Sequence, residues 1–130
     1  MQLRYLLPPA AMLLLAACAQ PASPQSANIT VDAPQPHQVI ASPLTITGQA
    51  RGTWYFEADF PIRLFDAAMQ QIASAPATAQ SEWMTENFVA FEATLTFTDP
   101  GTPNGYLLLE KDNPSGLPEH AGSIIIPVQF

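Results

Sequence analysis

The chain has 130 residues, of which 48% are hydrophobic and 12% charged; eleven acidic residues against four basic ones give a formal net charge of −7. This length suits one domain. The acidic balance excludes a nucleic-acid partner, which takes clustered Lys and Arg, and opposes diffuse electrostatic binding to anionic lipid. A single cysteine excludes an internal disulfide.

In chain order, residues 1–17 come first. Arg4 precedes a mostly apolar run, Leu6 to Ala17, interrupted by Pro8 and Pro9. The run is shorter than the roughly 20 residues a permanent transmembrane helix needs, and a positive start before a short apolar stretch is the pattern of a cleaved export signal. It ends Leu15-Ala16-Ala17-Cys18, which resembles the lipobox of bacterial lipoproteins. That resemblance implies transfer of diacylglycerol to the Cys18 sulfur, cleavage before Cys18, and anchoring by several acyl chains where one would be marginal. Removal of the leader also takes Arg4, so the mature part is more acidic still. Ala19, where an Asp would signal retention, implies the periplasmic face of the outer membrane if the source has two membranes. Residues 18–27 carry Pro, Ser, Gln and Ala with no large apolar side chain and read as the lipidated Cys and a flexible tether.

From residue 28 to 130 the pattern becomes alternation, the mark of half-buried strands. Ile29-Thr30-Val31 is the first. Asp32 to Ser42, with Pro34 and Pro36, is a loop or an edge crossing. Pro43 to Gly48 is next, with Leu44 and Ile46 inward. Phe60 to Asp66 follows, with Ile62 and Leu64 on one face. Met69 to Ser74 reads as a short partner strand, although residues 67–82 also carry helical propensity. Phe88 to Phe97 is expected to be the longest strand and a central one, with Phe91, Ala93, Leu95 and Phe97 on one face. Tyr106 to Glu110 and Ser123 to Phe130 complete about seven strands, and Pro127 puts the last on an edge. Frequent Pro and Gly turns between short strands predict an all-β, antiparallel β-sandwich of the immunoglobulin-like kind.

Three stretches together carry a further resemblance. They are Ser42 to Gly48 with Gly52 to Ile62; Trp83-Met84-Thr85; and Lys111 to Glu119 followed by Ile126 to Phe130. They resemble the immunoglobulin-like domain named for bacterial spore germination, over about residues 29–130. The resemblance implies a small β-sandwich of the cell surface or envelope, without an established catalytic activity and without a necessary role in sporulation. One departure is the turn after Asp66. Such domains often have Asn-Gly there and this chain has Ala67-Ala68-Met69, so a less tight hairpin is expected.

The residues suggest little chemistry. His37, Ser42 and Asp32 could be arranged as a triad on paper, but no nucleophile-elbow context surrounds the serine. His37 and His120 lack the partners a zinc site requires, and no metal or other cofactor is expected. Glu57 and Asp59 would share a face if both lay on a strand. There they could hold Ca²⁺, act as the acid and base of glycoside cleavage, or simply be solvated. Lys111-Asp112-Asn113 opens a long loop in which Asp and Asn would cap the turn or meet a partner or ion. Trp54-Tyr55-Phe56 with Trp83 are core residues or a stacking surface. Strand alternation would send Trp54 and Phe56 one way and Tyr55 the other.

The expected function is that of a non-enzymatic cell-envelope lipoprotein, anchored in the membrane through lipid on Cys18, whose sandwich makes protein contacts with an envelope partner. The alternative is a module binding peptidoglycan or another cell-wall glycan. Tyr55, Trp83, Lys111, Asp112 and Asn113 are the candidate binding residues.

Overall fold

The computed structural model describes residues 26–130. The leader, Cys18 and most of the tether lie outside the described residues. Strict alternation makes the strands, because side chains two apart share a face and only one face is dry. In β2 (Leu44–Arg51) the inward residues are Leu44, Ile46, Gly48 and Ala50, and in β5 (Phe88–Leu95) they are Val89, Phe91, Ala93 and Leu95. β1 (Ile29–Ala33) contributes Ile29 and Val31; β3 (Asp59–Asp66) contributes Phe60, Ile62 and Leu64. β4 is Gln71–Ala79, β6 is Asn104–Glu110 and β7 is Ser123–Gln129.

All neighbours are antiparallel, in the order β1-β2-β5-β4-β3-β6-β7. The sheet curls on itself, giving the immunoglobulin-like sandwich expected. Its halves, β1-β2-β5 and β4-β3-β6-β7, are joined through the pairs Thr78↔Glu92 and Ala79↔Phe91. β4 stays paired with β3 as far as Thr78, where its end also reaches β5. Between the halves Phe60 of β3 meets Phe91 of β5 edge to face, with ring centroids 5.0 Å apart. Trp54 and Tyr55 pack their rings on the same Phe60 at 5.6 and 5.2 Å.

The stretch 34–43 is indeed an edge crossing. After β1 the chain passes to the opposite half and runs parallel to β7, with the His37 N–H donating to the Pro127 carbonyl at 2.7 Å. The Ile40 N–H donates to the Gln129 carbonyl at 2.8 Å, and the Gln129 N–H to the Gln38 carbonyl at 2.9 Å. β7 lies at the end of the strand order, as Pro127 implied. The Pro127 carbonyl faces this crossing segment, so its missing N–H falls on the side away from β6.

Several expectations need correction. Residues 67–82 hold no helix. After a turn they form β4, the partner strand expected from Met69 to Ser74 but shifted and extended to nine residues, longer than the eight-residue β5. Pro76 interrupts any helix here, and β3 offers the chain a ladder from Thr78 to Gln71; that pairing overrides the local helical propensity. β5 is an inner strand, but β4 occupies the middle of the order. β5 stops at Leu95, and Phe97 packs instead on Phe130, centroids 5.8 Å apart. The Phe97 N–H donates to Ser42 Oγ at 2.9 Å, which gives that serine a structural task.

The turn after Asp66 runs over Ala67–Gln70, wider than an Asn-Gly turn. The Asp66 carboxylate closes it, accepting the N–H groups of Ala68 and Gln70, each at 2.9 Å. Met69 there takes the left-handed conformation (φ 61°) that glycine would take more easily. Glu57 and Asp59 are not strand neighbours on one face. Glu57 (φ 52°) and Ala58 (φ 72°) are the two central residues of a tight turn between Phe56 and Asp59, so the paired-carboxylate geometry does not form.

Candidate functional site

The short 3-10 turn Gly52–Trp54 decides what the aromatic run does. It breaks strand alternation, so Trp54 and Tyr55 both turn inward and Phe56 is left partly exposed. Tyr55 is only 4% exposed, which contradicts its use as a stacking surface for a ligand. Its hydroxyl donates to the Val89 carbonyl at 2.7 Å, tying the turn to β5.

Burial pushes the Tyr55 hydroxyl up from 10.0 to about 12. Because the folded value lies above the unfolded one, the contribution to stability is complete below about pH 10 and is lost as pH rises towards about 12. Urea denaturation across that range should show the fall in the wild type. Tyr55→Phe should be less stable by about 1 kcal/mol at neutral pH and show a flatter alkaline profile. Equal alkaline losses in the two proteins would refute the assignment.

Tyr55, Lys111, Asp112 and Asn113, chosen from sequence, do come together. They line one cleft of about 250 Å³, with Pro114 and His120 on its loop side. Asp112 donates its N–H to the Trp54 carbonyl at 3.0 Å, which brings the loop over the aromatic turn. Asn113 is occupied by the loop itself. Its Nδ2 donates to the Leu117 carbonyl at 2.9 Å, and its Oδ1 accepts the Ser115 hydroxyl at 2.6 Å. It therefore acts as the turn-capping residue that its side chain suggested. Lys111 is half-buried, and its Cβ and Cδ border the space that a side chain at position 122 would enter. Trp83 stands elsewhere. It is half-buried against the core and lines a separate cleft of about 220 Å³ with Met84, which is 74% exposed. Tyr55 and Thr53 belong to the walls of both clefts.

The outer faces of the two halves differ sharply. On β2 and β5 the outward positions are Thr45, Thr47, Gln49, Ala90, Glu92 and Thr94. Phe88, beside them, is covered by the Arg51 guanidinium, 4.0 Å from its ring centroid. On the other half, the pairing aligns Phe65, Tyr106 and Pro127 in one row across β3, β6 and β7. The next row is Arg63, Leu108 and Ile125. Beyond it Pro61 faces Pro76 of β4, and Glu110 faces Ser123 of β7. Ile125 is 58% exposed. Arg63 and Glu110 form an ion pair at 2.9 Å.

None of the residues on this face was singled out from sequence. A signal was present: Tyr106-Leu107-Leu108-Leu109 and Ile124-Ile125-Ile126 are apolar without alternation, as expected of strands with two apolar faces. On the outer face Ile125 is exposed, while Phe65, Tyr106, Leu108 and Pro127 are half-buried.

A curled antiparallel sandwich with an aromatic turn locked into its core defines an immunoglobulin-like domain. The chain belongs to the family described as the immunoglobulin-like domain of bacterial spore germination, whose model matches residues 28–116. β7 lies beyond the matched range and completes the same sheet. No curated protein and no solved structure matches the chain.

Proposed function

We propose that this protein is a non-enzymatic lipoprotein of the cell envelope, held to the membrane through acyl chains on Cys18, whose sandwich makes protein contacts at the membrane surface. The observation that supports the contact role is the contrast between the two outer faces: one is mostly threonine, glutamine and glutamate, with Ala90 and a Phe88 that Arg51 overlies, while the other carries rows of aromatic, proline and aliphatic side chains. Exposed contiguous apolar surface rimmed by polar groups is characteristic of interaction sites. The lipobox-like Leu15-Ala16-Ala17-Cys18 supports the anchor, and in a two-membrane cell the absence of Asp at position 19 favours the periplasmic face of the outer membrane.

The test has two parts. Metabolic labelling with a fatty acid in the host should label the wild type, and Cys18→Ala should lose both label and membrane association. Crosslinking in intact cells should recover the same neighbouring protein repeatedly. An unlabelled native chain would remove the anchor from this reading, and repeated recovery of no protein would remove the contact role.

Glycan binding is the second reading. The burial of Tyr55 leaves it Trp83, half-buried in the cleft beside exposed Met84. It requires retention on insoluble cell wall that Trp83→Ala abolishes.

A further inference from the structure

The apolar face is not electrically neutral along its length. Its β6-β7 side carries Leu108, Ile125 and the Phe65-Tyr106-Pro127 row. At the other end is a cleft of about 390 Å³ lined by Asp59, Pro61, Arg63, Pro76 and Asp112, among others. Arg63 is already paired with Glu110, and this is the one ion pair among the described residues. The carboxylates of Asp59 and Asp112 take no cation and no hydrogen bond from any described residue. Asp59, Asp112 and Glu110 therefore stand against the Arg63 guanidinium beside the apolar rows, with Lys111 in the separate cleft that it shares with Asp112, on a chain whose net charge is −7.

We propose that this face docks a protein segment that presents an apolar side chain to Leu108 and Ile125 and a Lys or Arg to Asp59 and Asp112. The proposal rests on the protein-contact reading above and supplies the partner's chemistry. Apolar contact supplies desolvated area in such an interface, while complementary charge sets orientation and rate of encounter. A second copy of this chain fits less well, because it would bring a strongly acidic molecule against another. An anionic lipid surface is opposed for the same reason.

The test uses the full chain in its host with a photo-crosslinking residue at position 125. A protein adduct is expected, and mass spectrometry should place Lys or Arg in the sequence flanking the attachment point. The double reversal Asp59→Lys with Asp112→Lys should reduce the adduct on the order of ten-fold. Glu92→Lys, a charge reversal on the opposite outer face, should leave it unchanged. In isolated envelopes, added salt should weaken the wild-type adduct as screening shortens the reach of the carboxylates; that titration decides the matter if the double variant fails to fold. An adduct indifferent to salt and to the reversal would overturn the proposal. So would an attachment point without basic neighbours, an adduct to a second copy, or one to lipid. A matching probe at Thr45 separates the two levels of the argument. An adduct from Thr45 and none from position 125 removes this face but keeps protein contact, and no adduct from either removes both.

Discussion

Phe60→Ala should cost about 3–5 kcal/mol of folding stability, the range for removing a buried aromatic ring. The side chain is 0% exposed. It belongs to β3, yet its neighbours come from elsewhere: Phe91 from β5, and Trp54 and Tyr55 from the turn after β2. These edge-to-face contacts add to the area term. The ring bridges the two halves of the sandwich, whose direct β4–β5 pairing is short, Thr78 and Ala79 followed by the Gln80 N–H on the Ala90 carbonyl, so the void would open between the halves. Urea denaturation should show a lower midpoint, and Phe60→Leu, which keeps part of the volume, should recover about half of the loss. A loss below about 1 kcal/mol for the alanine variant would show that the aromatic cluster does not hold the halves together.

The second large effect is expected at Gly52. A Cβ there would overlap the carbonyl oxygens of Trp83 and Thr85, and both are backbone atoms that no rotamer change can move. The Gly52 N–H also donates to the Asn87 carbonyl at 3.0 Å, so the turn cannot simply back away from the 83–87 segment. Gly52→Ala should therefore cost about 3 kcal/mol, at the upper end of overpacking penalties. It should also displace Trp83, readable as a change in tryptophan fluorescence alongside a lower Tm. Gly101→Ala is the natural comparison. Gly101 has φ +75° and open space around it, so its variant meets only the backbone cost of about 1–2 kcal/mol. Equal losses at the two positions would mean that the 83–85 segment yields.

These two sites also show what is legible in a sequence and what is not. β2, β3 and β5 announce themselves, because one dry face imposes a period of two. Pro127 correctly marks an edge, since a missing N–H restricts where a strand can lie. β4 is only partly legible, as a short partner strand from Met69 to Ser74 competing with helical propensity, for the opposite reason. Its Ala-rich sequence has weak contrast between faces, and its strand state comes from pairing with β3 rather than from its own pattern. The aromatic run misleads because three residues of 3-10 turn shift the alternation, sending Trp54 and Tyr55 to the same side. Glu57 misleads because an ordinary-looking Glu-Ala pair occupies a turn usually given to Asn and Gly. The convergence of Tyr55, Lys111, Asp112 and Asn113 on one cleft comes from Asp112 pairing with the Trp54 carbonyl, a long-range bond that spacing does not reveal. The apolar outer face could be suspected from runs such as Leu107-Leu108-Leu109. Its rows emerge only once the pairing of β3, β6 and β7 is known.

The clasp between residues 37–40 and β7 has a consequence for how the chain matures. A polypeptide synthesised from its amino end delivers this early segment long before its docking partner arrives. Until the last strand emerges, those amides have only water to bond, and the contact's large sequence separation makes it late to form. Truncation ahead of Ser123 would therefore unpick both ends of the domain at once, and folding completes only after nearly all of it has been synthesised.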